Sequence, residues 1–171
     1  GSEVTAFAVI TDRKTNYKFS ILSRRIVPHY ALLDAELIRS LPMHIAASTG
    51  VDALVHATES YISRVQSPFA DAMAEKALQL LGRSIRRFVA NREDLEAAQD
   101  MLNGSMFAGI AFAWARLGNV HAMSHPVSGH FNVPHGVANA ILFPYILDYN
   151  ALADEGRYRT VYDCISRVPS D

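Results

Sequence analysis

The sequence has almost no cysteine: Cys164 is the only one in 171 residues. That excludes a disulfide-stapled scaffold and fits a reducing compartment, the cytoplasm. Neither sign of charge is in excess. With 16 basic and 17 acidic residues the net charge is −1, which selects neither nucleic acid nor an anionic membrane surface as partner. No charged-then-apolar signal segment opens the chain. No GxGxxG or GxxxxGK[ST] occurs anywhere, so a phosphate-cradling glycine loop of the common kinds is missing. A 50% hydrophobic, 19% charged composition rules out disorder and fibrous repeats, and the length suggests one domain.

What is present is unevenly spread. Between Met101 and Leu147 the only formally charged residue besides histidine is Arg116. A membrane span reads similarly at first, but Pro126, Pro134, Pro144 and four histidines interrupt the run. A buried helical core around a polar site accounts for it better, because ionisable groups go inside only with partners.

Periodicity predicts a mainly α chain with a short β-containing start. Phe7–Thr11 and Lys18–Leu22 read as strands around a polar turn, with Ala31–Asp34 as a third extended piece. Pro42 suits a helix start. Helices are expected over Thr49–Ser63 (Thr49 as cap), Pro68–Ala90, Glu93–Leu117, Asn119–His130 and Val133–Asn150, with a last amphipathic segment over Ala151–Val168. In the second of these, Ala74, Ala77, Leu78, Leu81, Ile85 and Phe88 trace a stripe of helical period. The third carries Leu95, Leu102, Met106, Ile110 and Ala113, and its Gly- and Ala-rich second half, SMFAGIAFAWARLG, is expected to let neighbouring helices approach closely.

Two patterns carry chemistry. Asp52-Ala-Leu-Val-His56 sets a carboxylate and an imidazole four residues apart, on one helical face. His121-Ala-Met-Ser-His125 repeats that spacing, and His135 follows. Neutral imidazole is the commonest side-chain ligand of transition metals, and a carboxylate suits a divalent ion. An isolated Asp-x3-His is most often a surface pair, and clustered histidines also occur as hydrogen-bonded core residues. The clustering of four of the seven histidines between His121 and His135 is what favours a metal. His29, His44 and His130 read as structural or surface residues. Val51, Phe112, Trp114 and Phe131 are candidates for a pocket wall.

The stretches GSEVTAFAVITD, STGVDALVHATESYIS, GIAFAWARLGNVHAMSHPVSG and VPHGVANAILFPYILDYN resemble successive motifs of the iron-dependent (group III) alcohol dehydrogenases, in order and spacing, from Gly1 to about Asn150. The resemblance implies a helical-bundle metal-binding domain belonging to a two-domain, α/β plus all-α enzyme. Residues 1–40 then correspond to the remnant of a nucleotide-binding domain and its connection. Residues 41–171 correspond to the helical metal-binding domain, C-terminally incomplete. It further implies one Fe(II) held by Asp52, His56, His121 and His135; Zn(II) or another divalent ion suits the same donors. His125 matches a residue beside the metal and the nicotinamide, linked to proton transfer or substrate placement. Ser2 and Thr5 match a loop contacting NAD or NADP, and Lys18 a lysine reaching the ribose or phosphate region. The expected activity is hydride transfer between that cofactor and a small alcohol or aldehyde, in a homo-oligomer. A fragment without the family's glycine-rich pyrophosphate loop is expected to be poor at the reaction alone. The alternative is a non-enzymatic helical metal-binding or oligomerisation module. Dehydroquinate synthases and glycerol dehydrogenases share the architecture but fit the VDALVH and PHGVANA motifs poorly.

Overall fold

The computed structural model describes residues 1–15 and 17–166. A short antiparallel ribbon, β1 (Phe7–Asp12) and β2 (Tyr17–Leu22), pairs Phe7 with Leu22 and Asp12 with Tyr17. Six α-helices follow: α1 (Met43–Tyr61), α2 (Pro68–Ala90), α3 (Leu95–Ala115), α4 (Asn119–Phe131), α5 (His135–Ala151) and α6 (Arg157–Ser166). The mainly α bundle with a β-containing start is thus the observed fold. Among the described residues Ala31–Asp34 forms no strand; Asp34 instead caps a 3-10 turn over Ala35–Ile38, accepting from the Glu36 N–H. Of the expected last segment, Arg157–Ser166 is helical, and its final positions, 167 and 168, lie outside the described residues.

Helix α2 begins where the local chemistry says it should. The Ser67 hydroxyl accepts from the Ala70 N–H, and Pro68 occupies the first turn, where its missing N–H costs nothing. Its expected stripe is the buried one: Ala74, Ala77, Leu78, Leu81 and Phe88 are buried, and Ile85 packs on them. Helix α1 starts six residues earlier than Thr49 suggested, after Pro42. The Thr49 hydroxyl does not cap; it donates to the Ile45 carbonyl at 2.7 Å, back along the same helix.

Helix α3 buries a different face from the one its large side chains suggested. Ala97, Met101, Gly104, Ala108, Ala111 and Ala115 point inward, whereas Leu95 is exposed. The reason is proximity. A Cβ on Gly104 would lie 2.7 Å from Leu81 Cγ, so α2 and α3 approach too closely for anything larger. Small residues make that approach possible, and fully buried Leu81 supplies the contact, worth about 1.5–3 kcal/mol.

Helices α1, α2 and α3 form the packed centre. Helix α5 lies along α1, α4 joins α5, and β2 touches α4. Pro126 and Pro144 lie inside α4 and α5 rather than breaking them, each removing one backbone donor. Among the described residues no helix is long and apolar enough to cross a membrane.

Candidate metal centre

Helix α1 presents Asp52 and His56 one turn apart, both half-buried. Helix α4 brings in His121, which is 3% exposed, and α5 opens on His135. The ligand atoms of Asp52, His56 and His121 lie within 4.8 Å of one another. Asp52 Oδ1 is the focus: His121 Nε2 is 3.4 Å away, and the Nε2 atoms of His56 and His135 are each 3.8 Å away. The rings of His56 and His121 stack with centroids 4.4 Å apart. Phe112 covers His56 at 4.8 Å. Residues drawn from three helices, up to about half the chain apart, therefore turn their donor atoms toward one place.

The electrostatics suit a cation. Burial alone would raise the Asp52 carboxyl, but the hydrogen bond from His121 and the neighbouring imidazoles hold it down at about 2. Burial pushes His56 and His135 down to about 4, against the opposing pull of Asp52. At neutral pH these two rings are neutral, with lone pairs available. His121 differs. Burial would lower it, yet its bonds to Asp52 and Glu59 raise it above the ordinary value.

Asn139, one helical turn beyond His135, escaped the sequence reading, as did Glu59. The Asn139 Nδ2 lies 2.5 Å from Asp52 Oδ1, 3.2 Å from His121 Nε2 and 3.4 Å from His135 Nε2. Its Oδ1 is buried without a hydrogen-bond partner among the described residues. Three potential ligand atoms thus crowd a single amide nitrogen. A divalent cation fits that donor set better than an amide does, since one carboxylate and three imidazoles are borderline ligands for Fe(II) or Zn(II). On the far side of His121, Nδ1 is 2.7 Å from Glu59 Oε2.

Around this centre the other expected residues fall into two groups. His125 is half-buried, with its ring centroid 5.2 Å from that of His135. Burial first, then the charges of His121 and Lys18, lower its pKa. Lys18 lies on β2, the strand that touches α4. Thr5 is buried and Ser2 exposed, both at the start of the chain beside the ribbon. His29, His44 and His130 are exposed, as expected. Trp114 and Phe131 are 68% and 76% exposed; Trp114 packs edge-on against Phe69.

The family model for the C-terminal part of the Fe-containing alcohol dehydrogenase family matches residues 46–169. The chain belongs to the Fe-containing alcohol dehydrogenase family. It is 42% identical over 160 residues to the 1,3-propanediol dehydrogenase of Citrobacter freundii, covering 94% of this chain and 41% of that protein. It is 39% identical over 165 residues to an NADPH-dependent butanol dehydrogenase of Clostridium saccharobutylicum, covering 96% and 42%. Among solved structures, the alcohol dehydrogenase from Oenococcus oeni superposes with a TM-score of 0.94 at 40% identity, over 98% of this chain and 44% of that one. The chain thus spans less than half the length of these Fe-containing alcohol dehydrogenases, and all the donor residues described above lie inside the matched part.

Proposed function

We propose that this chain is the metal-holding, substrate-side part of a nicotinamide-dependent alcohol dehydrogenase and aldehyde reductase. The observation that carries the reading is the convergence of Asp52, His121 and His135 on one amide nitrogen, with His56 beside them. In this reading Asp52, His56, His121 and His135 hold one divalent cation, Fe(II) by family and Zn(II) by donor chemistry alone. Such a cation, when bound, supplies Lewis acidity that lowers the pKa of an alcohol and polarises a carbonyl.

The chain's own residues supply the rest. Asp52 brings a full negative charge, while His56 and His135 stay neutral and offer lone pairs. Alcohol oxidation requires a proton to leave the hydroxyl group. His125 is held neutral by burial and by the charges of His121 and Lys18, so one ring nitrogen is free to accept that proton and return it in the reverse direction. Phe112 against His56 keeps water from that side of the cluster.

Residues 1–40 are read as the remnant of a nucleotide-binding domain and its connection, and 41–171 as the helical metal-binding domain. Support comes from the ribbon, where Val9, Ile10, Phe19, Ile21 and Leu22 are all exposed, apolar side chains that suit a surface meeting another domain. Ser2, Thr5 and Lys18 on this side are the residues assigned to NAD or NADP. The relatives' names point to small alcohols such as 1,3-propanediol and butanol as substrates. A cytoplasmic homo-oligomer is the setting this reading implies.

Metal analysis after anaerobic purification tests it. One divalent ion per chain is expected, and its loss in His121→Ala. No tight metal in the wild type overturns the reading. Little NAD-dependent oxidation of 1,3-propanediol is expected from the 171-residue chain; robust turnover overturns the assignment of the cofactor half to another part of the protein.

A further inference from the structure

The structure assigns Glu59 as a positioning residue: its carboxylate orients His121 for the metal and ties helix α4 to helix α1. This rests on the reading of the centre given above. Glu59 follows His56 by three residues and Asp52 by seven, so all three share one face of α1. Its side chain is 3% exposed, and a carboxylate so deep persists only with partners. Two of them lie on α4. Oε1 accepts the Val120 N–H at 2.7 Å, and Oε2 lies 2.7 Å from His121 Nδ1.

The first contact replaces a missing cap. Helix α4 starts after Gly118, which has no side chain to satisfy the opening N–H groups. Glu59 reaches across from α1 to take one of them, and its negative charge sits at the positive end of the helix. Gly118 makes room for it: a Cβ there would lie 2.9 Å from Glu59 Oε1. The second contact fixes the ring. An acceptor-only carboxylate at Nδ1 holds a proton on that nitrogen, which leaves Nε2, the atom facing Asp52, as the one that would offer its lone pair to a cation. One buried carboxylate thereby sets the position of α4, the orientation of the His121 ring and its tautomer. These are the tasks that partners of metal-bound histidines perform elsewhere.

A glutamine at position 59 separates these tasks from simple space-filling. Its single amide oxygen can serve Val120 or His121 but not both, and an NH2 group facing Nδ1 drives the proton onto Nε2. Zinc affinity, measured by chelator competition, is therefore expected to fall roughly 10- to 100-fold in Glu59→Gln. A smaller fall is expected in Gly118→Ala, which leaves every donor in place and only displaces the carboxylate. Long-range proton–nitrogen NMR of the zinc-loaded wild type reads the tautomer directly and needs no variant to fold. Nδ1–H with Nε2 on zinc is the expected result. Wild-type affinity in both variants, or zinc on Nδ1 of His121, overturns the assignment of Glu59. Failure of the wild type itself to bind zinc overturns the metal centre and this assignment with it.

Discussion

The amide nitrogen of Asn139 stands 2.5 Å from Asp52 Oδ1, the oxygen toward which the Nε2 atoms of three histidines also turn. This N–H partners a half-buried, ionised carboxylate, a contact that would matter most when no cation is bound. A cation entering the cluster takes over that task. Asn139 is thus tied to stability without metal more than to stability with it.

Asn139→Ala is accordingly expected to destabilise the metal-free chain by about 1–3 kcal/mol, the usual cost of leaving a buried polar group unpaired. Saturating zinc should recover most of that loss. Thermal melts with and without zinc check this; an equal deficit in both conditions refutes the compensation.

Metal itself is expected to stabilise the wild type. At a free concentration 100 times Kd the gain is about 2.7 kcal/mol, seen as a higher Tm that a chelator reverses. Asp52→Asn and His121→Ala should abolish the shift. His130→Ala should keep it in full, because His130 is exposed and outside the cluster. A shift that survives His121→Ala places the ion elsewhere.

Gly136 controls the approach of α5 to α1. A Cβ on it would run into the backbone carbonyl of Ser48, and backbone cannot step aside as a side chain does. Gly136→Ala should therefore push α5 outward, carrying His135 and Asn139 with it. The expected cost is about 1–3 kcal/mol from overpacking, with a weaker metal site although every donor residue is intact. Zinc titration of the variant decides; unchanged affinity would show that α5 can shift without moving His135.

The bounds of α2 were legible through Pro68 and a clean apolar stripe behind it, and the structure adds the Ser67 cap. Helix α1 was read short because Thr49 resembles a cap, and only the fold shows its hydroxyl bonded to Ile45. The inward face of α3 was hidden for the opposite reason. Alanine and glycine carry little hydrophobic contrast, so their close approach was legible but not the face they form, and Leu95 and Ala113, counted in the stripe, are exposed. The donors Asp52, His56, His121 and His135 were legible through short spacings and an unusual histidine density. Glu59 and Asn139 were not, since their partners lie 62 and 87 residues away in the chain. The D-x3-H-x2-E face of α1 is the one local trace Glu59 leaves.

Away from the metal, Asp100 ties α3 to α2 and sets an acid limit on stability. Arg83 grips it through two nitrogens at 2.7 and 2.8 Å, and the Ser84 hydroxyl donates to it at 2.7 Å. Burial alone would raise the Asp100 carboxyl, but Arg83 and Ser84 together hold it below its ordinary value. The folded chain therefore binds this proton less readily than the unfolded chain. The resulting stability is present above the unfolded carboxylate pKa of about 3.9 and is lost as pH falls through the lower, folded value. Asp100→Asn removes the ionisable group, with an expected cost of about 1–3 kcal/mol at neutral pH; Arg83 is partly in solvent, which screens the pair. Urea unfolding at neutral pH and below pH ~4 tests the sign: the gap between wild type and variant should narrow with acid. A gap that holds constant across that range would mean that Asp100 acts through packing and not through its charge.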